Sequence, residues 1–418
     1  MLQRALAVDI QSAGYCRPSR DEAIELIEHG ELATLLRAAS ELRDQGKGRV
    51  VSYSKKVFIP LTHLCRDYCG YCTFRSDPTP GIAAYMTADE VLAVAEAGAR
   101  AGCKEVLFSL GDQPERVFPE ARKALARFGH ARTLEYLAAM CERVLKETGL
   151  LPHSNPGVMS ADDLRPLRDC NISLGLMLET VSPRLRHRGA AHWRAPDKAP
   201  ALRLRVIEEA GRQRIAFTTG ILIGIGETLV ERVDSLLAIA QLHEMYGHIQ
   251  EVLIQPFRAK TGTRMEHVAE PELEDLQRTL AVARLIFGAE MNVQSPPNLV
   301  ADDYPALLAA GLNDWGGISP VTKDFINPEA AWPQIAMLER RTAEAGFVLR
   351  ERLAIYPEFA TAEFVSERVR PYLQRHIRAD GYAEPDGPPP GLRSDGALAP
   401  SPFQGEENET LLSSGARA

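Results

Sequence analysis

No stretch of this 418-residue chain is apolar enough to span a membrane, which takes roughly 18 to 20 hydrophobic residues in a row. The segment Met1 to Arg17 has no apolar core followed by a cleavage site, so secretion is not expected. Basic charge is also short. Against 56 acidic side chains stand 48 Lys and Arg, a formal net charge of −8, which argues against a nucleic-acid binder held by phosphate contacts. Part of the imbalance belongs to residues 381–418, where six acidic groups face two arginines. That segment, with Pro388-Pro389-Pro390 and recurrent Gly, Ser and Glu, has too few large apolar groups to offset its ordering entropy and is expected to be disordered. Cysteine is scarce and oddly placed. Seven is an uneven count for a disulfide framework, and three fall within eight residues, a pattern of metal or redox chemistry in a reducing, cytoplasmic setting.

What remains is ordinary globular composition, 45% hydrophobic and 25% charged, with ample length for a large core. Residues 1–50 read as a helical lead-in, opened by the capping box Ser19-Arg-Asp-Glu22. Residues 51–350 alternate. Buried-strand runs occur at Val57–Leu61, Val106–Leu110, Ile172–Leu178, Phe217–Ile225 and Val252–Gln255, with weaker ones at Leu150–His153, Met291–Gln294 and near Leu312. Helical stripes lie between them, and Gly98, Gly149, Gly211, Gly247 and Gly288 fall where helices should end. About eight strand–helix repeats predict a complete or nearly complete parallel β/α barrel of the TIM type; a doubly wound open sheet is the alternative. Residues 351–380 read as an extension, following a strand at Phe347–Leu349 and carrying a helix over Ala362–Ile377.

The most informative segment leaves the first apolar strand: His63-Leu-Cys65-Arg-Asp-Tyr-Cys69-Gly-Tyr-Cys72. A tetrahedral zinc site needs a fourth ligand, and Cys103 is a helix away while His63 is awkwardly close to Cys65. A ferredoxin-type cluster also takes four cysteines. Three thiolates on a [4Fe-4S] cube instead leave one iron open to the amine and carboxylate of S-adenosyl-L-methionine. The sulfonium then sits beside a one-electron reductant that can split it to a 5′-deoxyadenosyl radical. Gly70 lets the loop turn tightly, and Tyr71 can cover the adenine. Cys16, Cys103, Cys141 and Cys170 sit in or beside apolar segments and read as buried hydrophobes.

In such a barrel, chemistry gathers at the C-terminal strand ends. Ser109 and Gly111, in Ser109-Leu-Gly111-Asp112, offer backbone to the ligand's ammonium, or form a plain βα turn. Glu179 ends an apolar strand, where a carboxylate needs a partner such as a ribose hydroxyl or an ammonium. Arg203 and Arg205 could take the methionine carboxylate or line a solvated helix face. Gly220-Ile-Leu-Ile-Gly224-Ile-Gly226-Glu227 lacks the third glycine of a dinucleotide fingerprint and suits a strand whose Gly224 lets adenine lie against backbone. His153, Asn155, Gln255, Gln294, Asn298 and the Asn313-Asp314-Trp315-Gly-Gly stretch suit a polar, uncharged substrate, though each could be a cap or turn residue.

Five segments together resemble the 7,8-didemethyl-8-hydroxy-5-deazariboflavin synthases, the cyclising radical-SAM component of FO synthase. They are His63–Phe74, Phe108–Glu115, Leu151–Gly157, Thr218–Glu227 and Tyr246–Glu251. The similarity runs from about Arg49 to Trp332; at Gln255-Pro-Phe-Arg-Ala-Lys260 this chain has Pro where the family more often has Asn. The resemblance implies a substrate in which a tyrosine-derived 4-hydroxybenzyl group is joined to 5-amino-6-(D-ribitylamino)uracil. Hydrogen abstraction, closure of the central ring and loss of ammonia would give FO, the chromophore of coenzyme F420. It further implies an electron donor and, since this chain has one triple-cysteine loop, a separate tyrosine-transferring partner. Cys65, Cys69 and Cys72 would hold the cluster. Tyr71, Ser109, Gly111, Glu179, Arg203 and Gly224 would hold S-adenosylmethionine. Asp314 would serve as the catalytic carboxylate, with His153, Asn155, Gln255, Gln294, Asn298 and Trp315 around the substrate. The competing readings are the sibling enzyme that joins tyrosine to the uracil, and a non-enzymatic iron–sulfur or zinc protein.

Overall fold

A computed structural model describes residues 15–385. Most of the tail discussed above, residues 386–418, lies outside the described residues, as does the stretch before Tyr15.

Nine parallel strands form one sheet: β1 (Val50–Thr62), β2 (Glu105–Leu110), β3 (Leu151–Asn155), β4 (Ser173–Gly175), β5 (Phe217–Ile223), β6 (Ile249–Pro256), β7 (Asn292–Gln294), β8 (Asp314–Ile318) and β9 (Val348–Arg352). Each of β2 to β7 pairs with the next, β8 pairs with β1, and β1 pairs with β2, so the first eight close into a barrel. Closure excludes the open doubly wound sheet. The strand predicted at Ile172–Leu178 shrinks to three regular residues, because the chain leaves the ladder after Gly175 and rejoins it only at the isolated Glu179–Ile221 bridge.

Outward side chains of each strand meet a ring of helices. Val57, Val106, Phe217, Val252 and Val293 are fully buried in that shell. The capping box at Ser19–Glu22 is formed, and Gly149 and Gly247 end their helices in the left-handed conformation, as predicted. Gly98 and Gly211 do not. They lie inside the helices Ala88–Arg100 and Pro200–Arg212, where a Cβ would stand 2.6 Å from Val57 Cγ1 and 2.7 Å from Tyr246 Cγ. Close approach of the helix to its neighbour, not a cap, fixes these two glycines.

The predicted helix at Ala362–Ile377 is reduced to one turn, Arg370–Leu373. Pro371 has no N–H to donate back along a longer helix, and the Ser366 hydroxyl accepts from the Arg368 N–H at 3.2 Å, a local turn that competes with helix. β9 lies outside the closed ring, pairing Val348–Arg352 with Val50–Ser54 at the start of β1. The chain then runs under the barrel, where the Ala354 carbonyl accepts from the Ser173 hydroxyl and from Gln250 Nε2 at 3.2 Å, both at strand beginnings. Residues 353–356 are buried and form the floor.

No helix among the described residues is long and apolar enough to cross a membrane.

Candidate active site at the mouth of the barrel

Immediately after β1 the chain makes the cysteine loop, pinned on several sides by backbone. Ser76 N–H donates to the His63 carbonyl at 2.8 Å, Arg66 N–H to Asp112 at 3.1 Å, Gly70 N–H to Ala191 at 2.6 Å and Met265 N–H to Gly70 at 3.1 Å. The Arg75 guanidinium lies 3.5 Å over the Tyr68 ring. His63 turns Nδ1 to the Phe74 carbonyl at 2.8 Å, away from any ligand role beside Cys65. Cys65, Cys69 and Cys72 are all unpaired thiols, and all three line one cavity of about 300 Å³ at the C-terminal ends of the strands. Cys103, Cys141 and Cys170 are buried, as predicted; Cys16 is exposed.

β2 ends against this loop. Gly111 is required there, since a Cβ would stand 2.0 Å from the Leu64 carbonyl oxygen and 2.7 Å from Cys65 Cβ. The next N–H, of Asp112, donates to Cys65 Sγ at 3.2 Å. Three thiols on a rigid loop, one already accepting a backbone N–H, in a roofless cavity are a donor set that fits an iron–sulfur cluster with an open corner. Behind the loop Asp67, Asp112 and Asp197 converge, their ligand oxygens within 4.8 Å of one another. Arg66 binds Asp197 at 2.6 Å, Asp67 accepts from Asp197 N–H at 3.1 Å, and Asp112 accepts from Val158 N–H at 3.0 Å. Burial, then the charges of Asp197 and Asp67, push Asp112 up to about 8.

Across the cavity stands Glu179, held at φ 66° by a chain that breaks the β4 ladder and rejoins at β5. Its carboxylate binds Lys198 and lies 3.8 Å from Arg203. Burial opposes its charge, but the two cations overcome that and hold its pKa below the usual value. Arg203 is itself fixed by the Met177 carbonyl at 2.5 Å and the Asp197 carbonyl at 3.1 Å, whereas Arg205 is exposed on the outer face of the same helix. Tyr71 OH lies 3.2 Å from His192 Nε2; burial, then Lys198, holds that imidazole down at about 3, so it is neutral. Lys198 was missed by sequence reasoning. It sits in a short 3-10 turn within an irregular connection, and nothing in its local pattern separates it from a surface lysine.

A second chamber of about 170 Å³ lies deeper in the barrel lumen and shares Ser109, Asn155, Leu253 and Gln255 with the first. His153 and Gln294 also line it. His153 binds Ser173 Oγ at 2.6 Å and Asn155 Oδ1 at 3.2 Å, and burial, then Lys56, lowers it to about 3.

Four predicted residues are placed otherwise. Asp314 opens β8 at the floor, fully buried. Both of its oxygens bind Arg352, at 2.7 and 2.8 Å, and the Ser52 hydroxyl and Gly316 N–H complete its shell. A carboxylate so enclosed positions its neighbours and does not reach the mouth. Trp315 turns its indole outward, donating Nε1 to Thr342 at 3.1 Å and meeting the Tyr304 ring edge-on, so it presents main chain to the lumen. Asn298 ties the loop after β8, donating Nδ2 to Asp324 and to the Ala330 carbonyl, both at 3.1 Å. Gly224 has φ 89°, and a Cβ there would meet Pro271 at 2.3 Å; Leu222, two residues earlier, lines the upper cavity in its place.

The radical SAM superfamily profile matches residues 59–239. The chain is 45% identical to the FO synthase of Streptomyces avermitilis over 421 residues, covering 98% of this chain and 47% of the relative. It is 49% identical to the 7,8-didemethyl-8-hydroxy-5-deazariboflavin synthase of Methanopyrus kandleri over 334 residues, covering 80% of this chain and all of the relative. The chain thus spans about half the length of the FO synthases it matches. Among solved structures, methylornithine synthase aligns with a TM-score of 0.63 over 84% of this chain and 97% of that one, at 20% identity, a likeness of fold alone.

Proposed function

Since this chain belongs to the 7,8-didemethyl-8-hydroxy-5-deazariboflavin synthase family and carries a radical SAM domain, we propose that it performs the ring-closing half of FO synthesis. The substrate is the adduct 5-amino-5-(4-hydroxybenzyl)-6-(D-ribitylimino)-5,6-dihydrouracil, and the products are FO and ammonia, which makes the enzyme a carbon–nitrogen lyase. The observation that carries this reading is the convergence of the three loop cysteines on one cavity in a chain matched along the whole length of the Methanopyrus kandleri relative.

Cys65, Cys69 and Cys72 hold the [4Fe-4S] cluster, and the mouth cavity takes S-adenosyl-L-methionine. When bound, this pair supplies a 5′-deoxyadenosyl radical for hydrogen abstraction. Among the cations that line the cavity, Lys198 and Arg203 stand beside Glu179 and are assigned to the ligand's carboxylate; Glu179 fixes Lys198 and offers its remaining lone pairs to hydroxyl or ammonium donors. Ser109 and Gly111 present main chain beside the loop, and Tyr71 with neutral His192 closes the wall. The lumen below is closed at its lower end by the buried residues 353–356. A primary carbon radical demands such enclosure, since solvent and buffer molecules would otherwise quench it. The adduct is supplied by a second, tyrosine-transferring radical SAM activity, and an electron donor reduces the cluster.

Anaerobically reconstituted protein, given the preformed adduct, S-adenosylmethionine and a reductant, should form fluorescent FO without added tyrosine. Consumption of tyrosine with no FO from the adduct would assign the sibling reaction instead.

A further inference from the structure

Three glycines in the barrel strands make room for polar side chains that reach into the lumen. In β8, a Cβ on Gly316 (φ 76°) would stand 1.7 Å from Gln294 Nε2, and one on Gly317 would stand 2.3 Å from Lys56 Cε. In β4, a Cβ on Gly175 would stand 2.0 Å from Asn155 Oδ1. Glycine inside a strand is destabilising and marks a close approach. Lys56 cannot swing aside, because its ammonium is held 2.7 Å from the buried Glu105 carboxylate. Gln294 is 7% exposed and Gln255 half-buried; both side chains line the chamber, and neither carboxamide bonds to another of the described residues. A carboxamide that faces a chamber without a protein partner keeps both its donor and its acceptor for a ligand that enters.

The same chamber has an aromatic wall. Phe58 points inward from β1 and is stacked on Trp332, with centroids 5.2 Å apart and ring planes at 16°. Trp332 is anchored by Nε1 donating to the Thr322 carbonyl at 3.1 Å. The chamber therefore combines a stacking surface, a carboxamide that both donates and accepts, and an ammonium. These requirements describe a neutral heterocycle with a planar imide edge that alternates N–H and C=O. A phenol, with one hydroxyl on an apolar ring, would leave the amide and the ammonium unmatched.

We propose that the deep chamber is the subsite for the pyrimidinedione ring of the ribitylaminouracil half, with Gln294 pairing with its imide edge, Lys56 donating to a ring carbonyl and Phe58–Trp332 carrying its face. This rests on the proposed function and assigns the substrate's orientation: the uracil lies deep, leaving the 4-hydroxybenzyl half toward the cysteine loop.

The test is calorimetric titration of the reconstituted, S-adenosylmethionine-loaded enzyme with 5-amino-6-(D-ribitylamino)uracil. Gln294→Leu, which keeps volume, and Trp332→Leu should each weaken binding at least tenfold, as sites built to hydrogen-bond a ligand do when a partner is removed. S-adenosylmethionine affinity should stay within twofold, since neither residue lines the mouth cavity. Ribitylaminouracil affinity within twofold of wild type in both variants would overturn the assignment, and so would a parallel loss of S-adenosylmethionine affinity. The two readings fail separately. Unmodified enzyme that makes no FO from the adduct refutes the ring-closing function, whereas FO formation with an indifferent Gln294→Leu variant refutes only the subsite.

Discussion

The two ends of the barrel are built on opposite principles. At the mouth, functional groups sit on irregular connections held by backbone hydrogen bonds, and their polar atoms face a cavity. At the floor, Arg352 binds Asp314 and, at 3.0 Å, Glu251, which also accepts from Tyr356 OH at 2.6 Å and Thr218 Oγ1 at 2.8 Å. The guanidinium lies 4.1 Å over the Tyr356 ring. The floor satisfies its charges internally, and the mouth leaves its donors open to ligands. Stability and chemistry are thereby assigned to opposite ends, as expected for a parallel β/α barrel.

The sharpest test of that division is at the mouth. Replacing Cys65, Cys69 or Cys72 by Ala should abolish iron–sulfur absorbance and 5′-deoxyadenosine formation. Denaturant unfolding of the apoprotein should change by less than about 1 kcal/mol, as is usual away from the core. If the variant also unfolded at the stability of a core mutant, the two ends would not be separable.

The reciprocal change is Arg352→Met. It strands two buried carboxylates, and breaking a buried pair by removing one partner costs about 3–5 kcal/mol. Burial alone would lower the Arg352 pKa, yet Asp314, Tyr356 and Glu251 raise it well above its usual value, which measures how strongly the site favours the cation. Urea unfolding of apoprotein should show the loss, while protein folded at low temperature should still assemble its cluster. A destabilisation under 1 kcal/mol would show that the floor network is not what holds the barrel closed.

Legibility in the sequence follows the same division. The cysteine loop could be read because its spacing is local; so could the capping box at Ser19 and most strands. The floor could not, because Arg352 is 38 residues from Asp314 and 101 from Glu251, and no local pattern announces such a pairing. Asp314 was therefore read as catalytic from its place beside amides and glycines, whereas β9 brings a cation beneath it. Gly98 and Gly211 looked like caps because a glycine near a helix end has the same local signature whether it turns the chain or admits a neighbour. The glycines at 316 and 317 carry the local signature of turn residues for the same reason, and nothing in the pattern of β1 announces Lys56, for which Gly317 makes room.

A smaller effect on ligand binding is expected at the mouth itself. Glu179→Gln keeps shape but releases Lys198 and Arg203 from their common anion. S-adenosylmethionine affinity should fall about tenfold, about 1.4 kcal/mol, and folding stability should fall too, because Glu179 is buried and its loss leaves Lys198 and Arg203 without their anion. An unaltered dissociation constant would remove Glu179 from the binding wall.

The smallest expected effect lies between the two ends, at His153. Burial, then the Lys56 charge, holds this imidazole down at about 3, against 6.5 in an unfolded chain. Below pH 6.5 the unfolded state takes up a proton that the folded state refuses. Stability is therefore full above pH 6.5, falls as pH falls below it, and stops falling on this account near pH 3. At pH 6.0 the loss from this one group is about 0.8 kcal/mol. Lys56→Met leaves burial, the larger cause, in place, so the dependence on pH above 5 should stay close to wild type, although the variant starts less stable because Glu105 loses its partner. The readout is thus the dependence on pH between 5 and 7, compared between wild type and His153→Gln. Equal slopes would mean that the lumen protonates freely, and a lumen open enough to do so could not be the enclosed chamber on which radical chemistry depends.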